Sequence, residues 1–112
     1  MGNQKLYKGS LQTIILKLLN EQDKMYGYEI TQKVKALTKG ELKITEGALY
    51  PALHKLESEG LLDVEVLKVD NRLRKYYKLT EQGTKETVNK LSELEMYIQT
   101  MQTLLHPKLN HG

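Results

Sequence analysis

The stretch from Thr80 to His106-Pro107 sets the tightest limit on how this chain folds. Leu91, Leu94, Ile98, Met101 and Leu105 follow one another at 3-4-3-4 spacing, an a/d seam widened by Tyr97 and Leu104. Thr80 can cap such a helix, and His106-Pro107 stops it after Leu105. About 25 residues rising ~1.5 Å each give a rod of ~38 Å, longer than a core built from the preceding 80 residues can cover. A second copy of the chain is the simplest cover; the alternative is a helix folded back along its own domain. Composition favours the second copy. Ala, Val, Ile, Leu, Met and Gly make up 45 of 112 residues, about 40%, below the globular average of roughly 45–50%.

With no Cys there is neither a disulfide framework nor a thiolate zinc site, so a reducing compartment is allowed. No apolar run is long enough to span a membrane and no leader pattern is visible, which leads to the expectation of a bacterial or archaeal cytoplasmic protein.

Position along the chain matters more than the net charge of +3. Residues 1–67 carry nine basic and nine acidic side chains; residues 79–112 carry three and four. The whole excess lies in residues 68–78, where Lys68, Arg72, Arg74, Lys75 and Lys78 face Asp70 alone, interleaved with Tyr76 and Tyr77. Clustered cations with aromatics suit a phosphate-contacting surface. A solvated edge strand whose charges prevent edge-to-edge pairing is the plainer reading.

Ahead of that patch the periodicity changes from helical to extended. Ser10 reads as an N-cap, followed by a stripe of Leu11, Ile14, Ile15, Leu18 and Leu19, so a first helix is expected over 10–20. Ile30, Val34 and Leu37 share a face of a second helix over 26–38, closed at Gly40. Thr45 caps a third over 45–59, with Leu49, Leu53 and Leu56 on one face and Gly60 at C′. Pro51 conflicts with this third helix, since it removes one backbone bond and crowds the carbonyl of Gly47, a residue that yields easily. Leu62, Val64 and Val66 then alternate with acidic residues, and Leu73, Tyr77 and Leu79 fall in phase, giving two antiparallel strands joined at Asp70-Asn71.

The residues for catalysis are missing. There is no G-x-S-x-G elbow, Walker loop or G-x-G-x-x-G, and His54, His106 and His111 lack metal-ligand spacing. His54 reads as a helix-surface residue or one near a backbone phosphate, and no enzyme, cofactor or metal is expected. Three helices, a hairpin and a long trailing helix make a mainly α fold with a small β-hairpin: a winged helix-turn-helix over residues 1–80, a dimerisation helix over 81–106, and a frayed tail over 107–112. In that fold helix three enters the major groove, helix two crosses the backbone, and the basic hairpin lies along a neighbouring groove or phosphate strand.

The stretches Tyr26-Gly27-Tyr28-Glu29-Ile30, Thr45-Glu46-Gly47-Ala48-Leu49-Tyr50-Pro51-Ala52-Leu53-His54-Lys55-Leu56-Glu57, Glu59-Gly60-Leu61-Leu62 and Arg74-Lys75-Tyr76-Tyr77-Lys78-Leu79-Thr80-Glu81-Gln82-Gly83 closely resemble the PadR family of bacterial transcriptional regulators. The likeness spans about residues 9–105, and its single C-terminal helix resembles the short, multidrug-responsive subfamily. The resemblance implies a homodimeric repressor on an inverted-repeat operator, released in some members by a flat or apolar molecule at the dimer interface. It also implies that Pro51 belongs inside the recognition helix.

On that resemblance Thr45, Gly47 and Tyr50 form the leading edge of the recognition helix: Thr45 caps and touches phosphate, Gly47 admits backbone, and Tyr50 donates its hydroxyl. Tyr50 packing between helices is the structural alternative. Glu46 could accept from a cytosine amine, but a solvated carboxylate favoured by the dipole at a helix N-terminus is the preferred reading. Tyr26 and Tyr28 are expected on the same DNA backbone, with Lys8 and Ser10 as weaker candidates, and Arg72, Arg74 and Lys75 on the wing. The third helix has no Arg, Asn or Gln for a bidentate base contact, so phosphates and groove shape should supply most affinity. Leu11, Ile15, Leu94, Tyr97, Ile98 and Met101 are the expected lining of an effector pocket, although core packing accounts for each, and the absence of Trp departs from the aromatic platform of drug-responsive members. The dimer seam is Leu91, Leu94, Ile98, Met101 and Leu105. The competing functional class is a winged-helix protein-interaction module that binds no DNA.

Overall fold

The computed structural model describes residues 6–107. One turn of 3-10 helix, Tyr7–Ser10, runs into α1, Leu11–Glu21. Ser10 does not cap α1: its hydroxyl donates to the Tyr7 carbonyl at 3.0 Å, so the helix starts by continuing the turn before it. Leu11, Ile15, Leu16, Leu18 and Leu19 are buried, whereas Ile14, expected in the stripe, is only half-buried.

A strand absent from the sequence expectation follows. β1, Met25–Tyr26, is two residues long and leads directly into α2, Gly27–Leu37. The Tyr26 backbone N–H donates to Glu29 Oε1 at 3.1 Å, satisfying a donor at the helix start that would otherwise lack a partner. Ile30 and Val34 are buried, but Leu37 is 63% exposed, because the last turn of α2 runs past the edge of the core.

The third helix, α3 (Glu46–Ser58), is capped by Thr45, whose Oγ1 accepts the Ala48 N–H at 3.2 Å, and it continues through Pro51. At its end Gly60 adopts φ +79°, and the Leu61 N–H returns to the Leu56 carbonyl at 3.0 Å. Strands β2 (Leu62–Val69) and β3 (Arg72–Leu79) pair rung by rung around Asp70 and Asn71, both left-handed at φ +51° and +63°. Two successive left-handed residues make the type I′ turn that matches strand twist. The expected hairpin is thus part of a three-stranded sheet, ordered β1-β3-β2.

Thr80 fastens the last helix, α4 (Glu81–Leu105), to this frame. Its Oγ1 accepts the Gly83 N–H at 2.9 Å and its hydroxyl donates to the Gly60 carbonyl at 2.7 Å. The first two turns are packed tightly, with Thr87 fully buried and donating to the Gly83 carbonyl at 2.7 Å. Beyond them α4 lies mainly on α1 and then outgrows it, in a molecule 57 Å long. Residues 108–112 of the expected tail, with His111, lie outside the described residues.

Candidate nucleic-acid interface

The leading edge of α3 is open. Thr45, Glu46 and Gly47 are exposed, and a Cβ at position 47 would meet nothing within 4 Å, so packing inside the chain does not require glycine there. Thr45 and Gly47 share a groove of about 360 Å³ with Lys8 of the 3-10 turn and Gln12 of α1. Free N–H groups, the positive end of the helix dipole and one lysine converge, which is the chemistry that holds a phosphate oxygen. Ser10 lies elsewhere, on a second groove.

Tyr50 packs as its structural alternative foresaw. Its ring lies over the start of α2, where a Cβ on Gly27 would sit 2.5 Å from the Tyr50 hydroxyl oxygen, yet the residue keeps 37% of its surface exposed. The glycine of Tyr26-Gly27-Tyr28 therefore has a packing reason that periodicity did not reveal. Tyr28 is exposed on the first turn of α2, and His54 is exposed on α3.

On the sheet, parity separates the basic residues. Tyr77 is buried in the core opposite Val64, which removes it from the aromatic surface expected of it. Lys75 shares the Tyr77 face, whereas Arg72, Arg74 and Tyr76 lie on the other. Leu73 follows Tyr77 in phase but is 76% exposed, since the hairpin extends beyond the core. Across this distal part Val66 pairs with Lys75, Leu67 with Arg74, Lys68 with Leu73 and Val69 with Arg72. Each rung sets one aliphatic side chain beside one cation, and cations occupy both faces.

At the base of the outer face the Arg74 guanidinium lies 4.3 Å from the centroid of the Tyr26 ring, which meets Tyr76 edge-on at 5.4 Å. Tyr76 beside it pushes Arg74 further toward its charged form. Burial raises the pKa of the Tyr77 phenol, helped by the charge of Glu57 and by Tyr50, and its hydroxyl has no hydrogen-bond partner among the described residues.

A second groove, about 680 Å³, runs between α1 with its preceding turn and α4. Leu94, Tyr97 and Ile98 line it with Leu6, Ile14, Lys90 and Glu93. Leu11 and Ile15, expected on this lining, are not there: Ile15 is wholly buried in the core and Leu11 faces α3. Met101 lies beyond the groove on α4, half-buried. Along the seam Leu91 and Leu94 are half-buried, whereas Ile98 and Leu105 are exposed, as are Tyr97 and Leu104 beside them.

Residues 15–89, running from α1 through the sheet into α4, match the transcriptional regulator PadR-like family. The chain belongs to the PadR family. A transcriptional regulator from Clostridium thermocellum superposes with a TM-score of 0.81 at 31% identity, over 89% of this chain and 97% of the other. A PadR-like transcription factor from Bacteroides fragilis gives 0.71 at 31% identity, covering 89% and 94%. A Mycobacterium tuberculosis transcriptional regulator is 38% identical over 61 residues, about half of each chain at 54%. The chain is a PadR-like transcriptional regulator of winged-helix fold, and the PadR relatives are regulators rather than enzymes. Among the described residues no helix is long and apolar enough to cross a membrane.

Proposed function

We propose that this PadR protein is a homodimeric repressor in the cytoplasm that binds an inverted-repeat operator, with α3 in the major groove and the hairpin as its wing. The observation that carries this reading is the distal hairpin, where four successive rungs each join a cation to an aliphatic residue beyond the edge of the core. A strand edge defended only against aggregation needs charge on its rim. A hairpin with cations on both faces and aliphatic residues between them suits a groove with phosphates on both walls. Thr45, Gly47 and Lys8 supply a second phosphate cradle, and Tyr26, Tyr28 and Tyr50 border the start of α2.

The seam of α4 is the dimer surface in this reading, and the groove beside Tyr97 is the place for an apolar or aromatic effector. The test is titration of DNA from upstream of the protein's own gene at several salt concentrations. Phosphate-dominated binding makes affinity fall steeply with salt, with log K changing by about −0.9 per phosphate contact. Arg72→Ala with Lys75→Ala should weaken binding and flatten that slope. A flat wild-type slope overturns the phosphate-dominated mode, and no binding at all leaves the protein-interaction module.

A further inference from the structure

Arg74 is held in an unusual way for a wing cation. Among the described residues it makes no ion pair; Asp70 of the turn favours its charge without pairing with it, and Glu65, opposite Tyr76 on the same face, pairs with Lys24 at 3.2 Å. Its guanidinium instead lies over the Tyr26 ring at 4.3 Å, with Tyr76 beside it favouring the charged form through a side-chain hydrogen bond. Tyr26 is in turn fixed by its pairing with Tyr76, by the edge-on ring contact, and by the bond from its N–H to Glu29 at the start of α2. The Lys24 ammonium lies 5.8 Å from the centroid of the Tyr76 ring.

We propose that Tyr26 is a positioning residue that acts through the face of its ring, holding the Arg74 guanidinium in place for a DNA phosphate, rather than a phosphate donor through its hydroxyl. The proposal rests on the DNA-binding reading above. A guanidinium against an aromatic ring keeps its charge and its N–H donors, because the ring accepts none of them in the plane of the fork. A carboxylate in the same place would cancel the charge that DNA needs, and Lys24 keeps the nearby Glu65 engaged. Holding Arg74 before DNA arrives removes part of the side-chain ordering cost of binding. The same stack ties the wing to the N-terminus of α2, so two backbone-contacting elements move as one.

The experiment is a salt-dependent titration of DNA from upstream of the protein's own gene with wild type, Tyr26→Leu, Tyr26→Phe, Arg74→Ala and the Tyr26→Leu/Arg74→Ala double variant. Tyr26→Leu should weaken binding about two- to fivefold and lower the salt slope in the same direction as Arg74→Ala. Tyr26→Phe, which keeps the ring face, should rescue both. In the Arg74→Ala background Tyr26→Leu should add nothing. Tyr26→Val, suited to a strand, replaces Tyr26→Leu if the latter does not fold. A Tyr26→Phe defect as large as that of Tyr26→Leu assigns the hydroxyl the role and overturns the proposal, as does additivity with Arg74→Ala while wild type binds normally. If wild type itself fails to bind, the DNA-binding reading falls first and takes this proposal with it.

Discussion

Three glycines show how one residue type answers to three different constraints. At Gly27 the Tyr50 ring occupies the space of a Cβ, and at Gly83 a Cβ would lie 2.1 Å from the Leu61 carbonyl oxygen. At Gly47 the space is empty. Gly83→Ala must therefore break the docking of α4 on the α3–β2 junction, with an expected loss of about 1–3 kcal/mol in urea unfolding. Gly47→Ala should leave stability unchanged or raise it by up to ~1 kcal/mol, since alanine favours helix. The same substitution should weaken operator binding, because in the proposed complex the open backbone at Gly47 faces the DNA. A Gly47→Ala protein of normal stability and normal operator affinity would remove α3's first turn from the interface. Tyr77 offers a residue-level test of pH dependence. Its pKa is raised by burial, so the unfolded chain ionises first, near the ordinary ~10. The stability from its neutral phenol is complete below that pH and is lost as pH rises toward the higher folded value. Tyr77→Phe abolishes this part of the alkaline loss and also removes a buried hydroxyl without a protein partner. Urea midpoints at pH 8 and 11 should diverge less for the variant than for wild type.

At the scale of elements, caps and turn residues were legible because they carry local chemistry. Thr45, Gly60, the Asp70-Asn71 turn and Thr80 all act where the sequence placed them. Periodicity gave the phase of each element but not how far the core extends beside it. Leu37 and Leu73 keep the phase of Val34 and Tyr77, yet both lie beyond the last neighbour that could cover them. A two-residue strand has no period at all, so β1 was invisible although it sets the Tyr26–Tyr76 contact. Counting charge over residues 68–78 located the patch, but strand parity was needed to see Lys75 and Arg74 on opposite faces. The turn itself yields a prediction. Asn71 occupies a left-handed position at φ +63°, where glycine is strain-free, and the type I′ turn favours glycine second. Asn71→Gly should raise stability by about 0.5–1 kcal/mol and leave the register unchanged, measured by thermal unfolding and cross-strand amide contacts. Loss of stability would mean that the Asn71 side chain holds the turn.

For the whole molecule, the decisive quantity is the apolar surface that one copy leaves on α4. Met96, Tyr97, Ile98, Leu104 and Leu105 are exposed on a helix whose buried residues, Gly83 and Thr87, belong to its first two turns. The proposed homodimer uses this exposed face of α4, while the buried core cluster of the winged helix lies within one copy. Ile98→Glu separates these two roles, because Ile98 is 47% exposed in the single chain and a carboxylate there costs the monomer little. In a dimer the same carboxylate is buried in an apolar seam without a partner, and association should fail. Sedimentation should then report a monomer with unchanged helical content, and its melting temperature should no longer depend on concentration. Affinity for an inverted repeat should fall by about 10²-fold or more, since the second half-site is no longer reached by a linked wing. Affinity for a single half-site should stay as it was. A dimer that persists in Ile98→Glu would place the contact elsewhere, whereas equal losses on whole and half operators would show that α4 shapes the DNA-binding surface itself.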